Sequence, residues 1–464
     1  MIRGYAEQPS PRAGASVTLR VSTDAARFRV EFYRFGTDMV PVAESGWLPG
    51  RAAPPHLSHQ DWGRPGRDLH GRMLDGWPAY RFRVSRRWRP GVYIAVFVEA
   101  GAAVPPDRTT PDGRAGKALF VVRPAPDRPP APILYKVPLL TYHAYNIVDR
   151  PEFDPVRRRG SWCLYNTDRL AGLPDPVPPA VGLHRPGGGT GGVPYDIERN
   201  PDPFDPTPRQ TFVHWDARFV AWMEAQGYAA DYCTDVDVHR AGPDLLRPHR
   251  LLVSVGHDEY YSDAMRDAVE GFVAAGGNAA FFSGNTAWWR VTFSDDVTFS
   301  RVGFWHEVGR PENTMIGVSF RNGGERDRDD HPTPVGYRVQ NADHWVYAGT
   351  GLRNGDLIGG GPKEYLIGYE CDGVDFSRAD LDAGRPVSPS GLDGAPAGFT
   401  ILAVGDTRPS GSWGFGNGAA TMGVFSPGGT VFTASTTDWA RVLTAGTTPA
   451  VEQITRNVLD RLSR

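Results

Sequence analysis

Two short apolar runs, RLLVSVG (250–256) and NAAFFSGN (278–285), bracket the segment DAMRDAVEGFVAAGG (263–277). The runs have the length and apolar density of strands buried on both faces, whereas the segment between them repeats its apolar residues at helical spacing. Ser262 suits the N-cap of that helix, and Gly276 with Gly277 marks its end. Strand, helix and strand in this succession make a βαβ unit, in which the two strands lie parallel. The same grammar starts at residue 133. ILYKVPLLTY reads as a strand, and VHWDARFVAWMEAQG as a helix with Phe219, Val220, Trp222 and Met223 on one face. YAADYCT reads as a strand, and DVDVHRAGPDLLRPH as a short helical excursion. Beyond residue 295 come short strands joined by Gly-rich loops, then a closing helix with Val451, Ile454, Val458 and Leu462 on one face. The expected fold of residues 133–464 is therefore α/β, a three-layer, mainly parallel sheet.

Residues 1–124 follow a different pattern. SVTLRVST, RFRVEFYRFG, AYRFRVSR, GVYIAVFVEA and KALFVVRP read as strands of period 2, with no helical stretch between them. An immunoglobulin-like β-sandwich is expected there, followed by a Pro-rich linker at 125–132. A formal net charge of -3 gives no electrostatic ground for nucleic acid or an anionic membrane as partner. No apolar run reaches the ~18 residues of a membrane span, and the N-terminus lacks the pattern of a signal peptide. A cytoplasmic location is expected. Cys163, Cys233 and Cys371 are widely spaced, which fits reduced thiols rather than a zinc site or disulfide framework.

In open parallel sheets, ligands sit outside the carboxyl ends of the strands. Polar clusters fall at such ends here. LLTY is followed by His143, Tyr145 and Asn146, LLVSVG by His257, Asp258 and Glu259, and NAAFFSG by Asn285. EYLIGYE ends at Glu370. The bland reading of HDE is a capping cluster, with the next helix N-terminus accommodating its negative charge. Several common chemistries lack their motifs. No GxSxG elbow or HExxH occurs, and GGGTGGVPYD (187–196) has no P-loop Lys. Cys233 stands at a strand end but without the flanking glycines of a nucleophile elbow. A cation held by oxygen donors remains, one carboxylate with phenolates, hard ligands that suit a ferric ion.

TYHAYN, SWCLYN, FVAWMEAQGYAADYCTDVDVH and LLVSVGHDEYYSDAMRDAVEGFVAAGGNAAFFSGNTAWWR resemble the catalytic large (beta) subunit of N,N-dimethylformamidase. The resemblance covers roughly residues 133–464, is strongest over 214–290, and does not clearly extend into residues 1–124. It implies a mononuclear iron, Fe3+, held by two tyrosinates and a glutamate. By motif, Glu259 of HDEY is the glutamate and Tyr145 the first tyrosine, with Tyr142 as alternative. Tyr165 of CLYN is the second tyrosine, with Tyr195 as alternative. His257 and Asn285 correspond to residues facing the metal, His257 moving a proton and Asn285 donating to a developing oxyanion. Glu370 is added as a second base. Trp288, Trp289 and Trp305 are candidates for apolar walls, although core packing is their ordinary role.

The implied activity is hydrolysis of the C–N bond of a small amide, the metal acting as Lewis acid on carbonyl or water. The resemblance also brings a small partner subunit into consideration, and self-association stays open. Two other functions compete: the same metal site on another amide or ester, and a non-catalytic ligand or carbohydrate binder. The latter is suggested because the sheet domain resembles glutamine-amidotransferase-like folds.

Overall fold

The computed structural model describes residues 2–53, 77–101, 116–147, 164–165, 180–190, 193–194, 205, 207–325, 335–361, 364–410, 416–443 and 448–464. Its centre is a nine-stranded sheet. In spatial order the strands are Ala230–Thr234, Ile133–Val137, Leu251–His257, Asn278–Gly284, Val431–Thr433, Ala419–Phe425, Thr400–Asp406, Tyr337–Val339 and Leu357–Ile358. The first five run parallel. The remaining four join antiparallel. The sheet is thus mixed, and chain length between strands explains the change. SPGGT (426–430) is all that separates Ala419–Phe425 from Val431–Thr433, too short for a parallel crossover and sufficient for a hairpin.

Helices cover both faces of the parallel half. Leu251, Val253 and Val255 pack with Phe219, Met223, Ile454 and Val458, from helices Ala217–Ala225 and Pro449–Leu462. Leu252 on the opposite face packs with Met265, Val269 and Phe272 of helix Asp263–Ala274. Alternate residues of this strand therefore serve two cores, which is why it reads as a continuous apolar run.

In the N-terminal region two antiparallel sheets share a core. One holds Arg3–Ala6, Ser16–Ser22 and Ala79–Arg83; the other holds Met39–Glu44, Arg27–Phe35, Gly91–Glu99 and Gly116–Val122, with Leu48–Pro49 beside Arg27–Phe35. Val17, Leu19 and Val21 pack between them with Phe28, Val30, Phe32 and Phe97. The outer face of the larger sheet is not left to solvent. Val92, Ile94, Val96 and Leu119 join Tyr135, Val137 and Phe212 in the core beneath the nine-stranded sheet. Gly91–Glu99 is accordingly buried on both faces instead of alternating. Polar contacts tie the same junction: Arg34 to Glu224 at 2.9 Å and Ser10 to Asp237 at 2.7 Å. The Pro-rich segment between the two regions contains a turn, closed by Arg128 N–H on Ala125 O at 3.1 Å.

Candidate active site

Strand Ile133–Val137 is followed in the chain by its neighbour on one side, Ala230–Thr234, and then by its neighbour on the other, Leu251–His257. The strand order reverses between these two, and a crevice at such a reversal is the ligand position of open α/β sheets. Pro138, which has no N–H for the ladder, ends the first strand, and a short helix, Leu139–Ala144, begins at once. The strand expected to run through Tyr142 is thus partly helix, and its polar residues fan out around an axis. Tyr142 turns its hydroxyl to Asp216, which also accepts from Tyr135 at 2.7 Å. His143 packs against Gly188, where a Cβ would meet its ring at 2.2 Å. Tyr145, the residue that ends the helix, reaches Glu259.

The second strand turns at Gly256, whose φ of +71° and closeness to Trp215, 2.5 Å from an added Cβ, both require glycine. The three residues after it take three directions. His257 enters the space beside Trp215, its ring edge-on at 6.2 Å between centroids. Asp258 hooks back under the sheet, 2.5 Å from Lys136 Nζ, and accepts from Ser254 Oγ at 2.5 Å and Tyr261 OH at 2.7 Å. Lys136 and Ser254 face each other in strand register, so two adjacent strands hold this one carboxylate. Its charge is therefore neutralised by a buried lysine, not by the following helix, which Ser262 caps by accepting from Met265 N–H. Glu259 projects into the crevice.

There Glu259 Oε2 accepts from Tyr145 OH and Oε1 from Tyr165 OH, both at 2.9 Å. The two phenol rings stack with centroids 4.5 Å apart, and Tyr260 OH makes a short contact to Tyr165 OH. Arg301 lies over the Tyr165 ring at 4.6 Å and the Trp289 ring at 4.3 Å. Burial, with the Glu259 charge, holds the Tyr145 and Tyr165 hydroxyls well above the usual phenol range. Two phenols and a carboxylate are hard oxygen donors meeting at one point, a set able to hold a hard cation once the phenols ionise. Among the described residues no group of three or more His, Cys, Asp and Glu side chains is arranged to hold a metal ion.

His257 Nε2 stands 2.7 Å from Glu370 Oε2 and 3.2 Å from Glu259 Oε2, and Nδ1 stands 2.8 Å from Gln210 Oε1. Gln210 Oε1 also accepts from Trp215 Nε1–H at 3.1 Å, and an indole can only donate, which fixes the amide's orientation. Both imidazole nitrogens thus face acceptors and carry hydrogen. Burial opposes the charge, but Glu370 and Glu259 outweigh it and raise the His257 pKa to about 10. The two carboxylates diverge. Burial raises Glu370, with Glu259 nearby adding to the rise. For Glu259 burial acts the same way, but His257 and the two phenols donating to it prevail and lower its pKa. Asn285, left-handed at φ 49°, donates Nδ2–H to Glu370 Oε2 at 3.2 Å. Gly284 before it lies against the Glu370 carbonyl, 2.9 Å from an added Cβ, so the absence of a side chain admits Glu370 to the site.

The structure therefore brings Tyr145, Tyr165, Glu259, His257, Asn285 and Glu370 together, and it sends Tyr142 elsewhere. Tyr195 lies outside the described residues, as does Cys163. Trp305 is buried under Arg266, 4.6 Å over its ring, and Trp288 packs on Phe304 and Phe320. Trp289 alone of the three reaches the site, through Arg301. Burial pushes the Cys233 thiol well above its ordinary pKa, which makes it a poor nucleophile. Gln210 and Arg301 were not visible as site residues in the sequence. Neither follows a strand end or belongs to a motif, and only the tertiary fold places them.

A sequence profile of the family described as "N,N-dimethylformamidase beta subunit-like, C-terminal" matches residues 39–453. The match begins well inside the N-terminal region, farther forward than the motifs of residues 133–464. The N,N-dimethylformamidase beta subunits of Paracoccus aminophilus and of an Alcaligenes species are each 26% identical over 200 residues. Each alignment covers 37% of this chain and 25% of the relative, so the matched part is about a quarter of those proteins' length.

Proposed function

Since the chain belongs to the N,N-dimethylformamidase beta subunit-like, C-terminal family, we propose that the buried cluster around Glu259 hydrolyses the C–N bond of a small amide. The observation that carries this reading is the carboxylate of Glu259 held between the buried phenol of Tyr145 and the half-buried phenol of Tyr165, with His257 bridging it to Glu370. Tyr145, Tyr165 and Glu259 would hold a ferric ion, which supplies Lewis acidity to an amide carbonyl or a water molecule.

The remaining steps belong to the chain's own side chains. Glu370, whose burial favours binding a proton, accepts one from the attacking water as its oxygen joins the carbonyl carbon. Asn285 keeps its second Nδ2–H for the oxygen on which negative charge develops. His257, held as imidazolium by Gln210 on one side and two carboxylates on the other, gives its Nε2 proton to the departing nitrogen as the C–N bond breaks. An acid and an amine leave, and the Glu370 proton returns to His257 across their 2.7 Å contact. His257 acts here as an acid, one of the two directions in which it was expected to move a proton. The name "beta subunit" in the relatives supports a partner chain for this protein as well. Among the described residues no helix is long and apolar enough to cross a membrane.

A formamide panel that begins with N,N-dimethylformamide tests the reading, with amine release as readout. Turnover by the wild type and a loss of ~100-fold or more in Glu259→Gln and Tyr145→Phe are expected. Unchanged turnover in well-folded variants would overturn it.

A further inference from the structure

Next to Gln210 stands Arg209, only 2% exposed. Its guanidinium lies over the ring of Tyr369 at 4.2 Å, and none of its three nitrogens has a hydrogen-bond partner among the described residues. Tyr369 is a wall of the site. Its ring meets that of His257 edge-on at 5.9 Å, and its hydroxyl accepts from Gln210 Nε2 at 3.2 Å. Arg209 and Gln210 thus grip one aromatic ring, one from its face and one at its hydroxyl, with Gln210 in a left-handed conformation at φ 58°. Stacking on a ring satisfies the charge in part but none of the five N–H donors. A buried guanidinium without an acceptor is costly, and the other charged residues of the site are already committed to one another. A planar, bidentate anion is the partner that fits a free guanidinium edge.

We propose that Arg209 binds a carboxylate of the substrate, so that the preferred amide is an anionic one, an N-acylated amino acid or a close analogue, and not a neutral dialkylamide. This rests on the amide-hydrolase reading of the adjoining cluster. Arg209 would hold the carboxylate end of the substrate and Asn285 its carbonyl oxygen, with the Tyr369 ring alongside.

The experiment compares N-formylglycine with neutral N-methylformamide as substrates of the wild type, Arg209→Met and Arg209→Lys. In the wild type kcat/KM is expected to favour the anionic amide. The ratio of the two kcat/KM values should fall by about 100-fold in Arg209→Met, with Arg209→Lys between, since an ammonium keeps the charge but loses the fork. A wild type that prefers the neutral amide, or a ratio that Arg209→Met leaves unchanged, overturns the proposal. If the wild type turns over neither amide, calorimetric binding of N-formylglycine separates the two ideas. Binding that Arg209→Met abolishes and Arg209→Lys weakens supports the carboxylate site while removing the hydrolase. No binding to the wild type removes the carboxylate site.

Discussion

Replacing Lys136 by methionine is expected to destabilise the fold severely while touching none of the site's own side chains. Lys136 and Asp258 are both essentially inaccessible, 0% and 1% exposed, and 2.5 Å apart. Breaking a buried pair by removing one partner typically costs about 3–5 kcal/mol, because the other charge stays buried without compensation. Here Ser254 and Tyr261 still donate to Asp258, which places the cost towards the lower end of that range. The loss also reaches Asp216 and Asp235, since Lys136 is a cation that favours the ionised form of both. Lys136→Met combined with Asp258→Asn removes both charges, keeps both hydrogen bonds to residue 258, and should recover most of the loss. Equilibrium urea unfolding followed by tryptophan fluorescence, with refolding checked, reads the cycle formed by the two single variants and the double. A Lys136→Met variant within about 1 kcal/mol of the wild type, or a double variant no more stable than the single, would refute the assignment of Asp258 to a structural pair.

Three further outcomes are expected. Asp216, whose pKa burial raises to about 7, keeps in the folded state a proton that the unfolded chain releases near pH ~4, so stability falls as pH rises from about 4 to about 7 and is level above. Asp216→Asn should remove its share of that slope, ~4 kcal/mol at most, in urea unfolding across the range, while Asp235, also at about 7, retains its own. Gln210→Leu leaves His257 Nδ1–H without its acceptor; kcat should fall and the alkaline limb of the pH–rate profile should move to lower pH, because the imidazolium is the active form and is lost sooner as pH rises. Gly284→Ala drives a methyl group into the Glu370 and Thr437 backbone, and should abolish activity in an amide assay with at most a modest change in circular dichroism.

Much of this was legible in the chain. The strand–helix–strand unit at 251–284 was fixed by periodicity and by caps that act locally, Ser262 at one end and Gly276 at the other. Because parallel strands end on the same side, His257 and Asn285 could be expected to meet, and they do, at register partners His257 and Gly284. The helix of Leu139–Ala144 was hidden because it is only six residues long and buried on every side, so its polar residues Thr141, Tyr142 and His143 point into the protein and mark no solvent face. The double burial of Gly91–Glu99 was recorded locally, since VYIAVFV is a continuous apolar run like that of the Leu251–His257 strand, and a period of 2 does not describe it. Asp258 misled for a different reason. An acidic residue ahead of a helix looks like a dipole partner, and the lysine that in fact pairs with it is 122 positions away.

The claim at the centre is that Tyr145, Tyr165 and Glu259 bind iron. Metal analysis of the purified protein, with its visible spectrum before and after reconstitution, tests this most directly. Stoichiometric iron with a tyrosinate charge-transfer band is expected, the band altered in Tyr165→Phe and the iron lost in Glu259→Ala, whereas Tyr142→Phe keeps both. Iron that fails to bind even after reconstitution, or that stays fully bound in a folded Glu259→Ala variant, would contradict it.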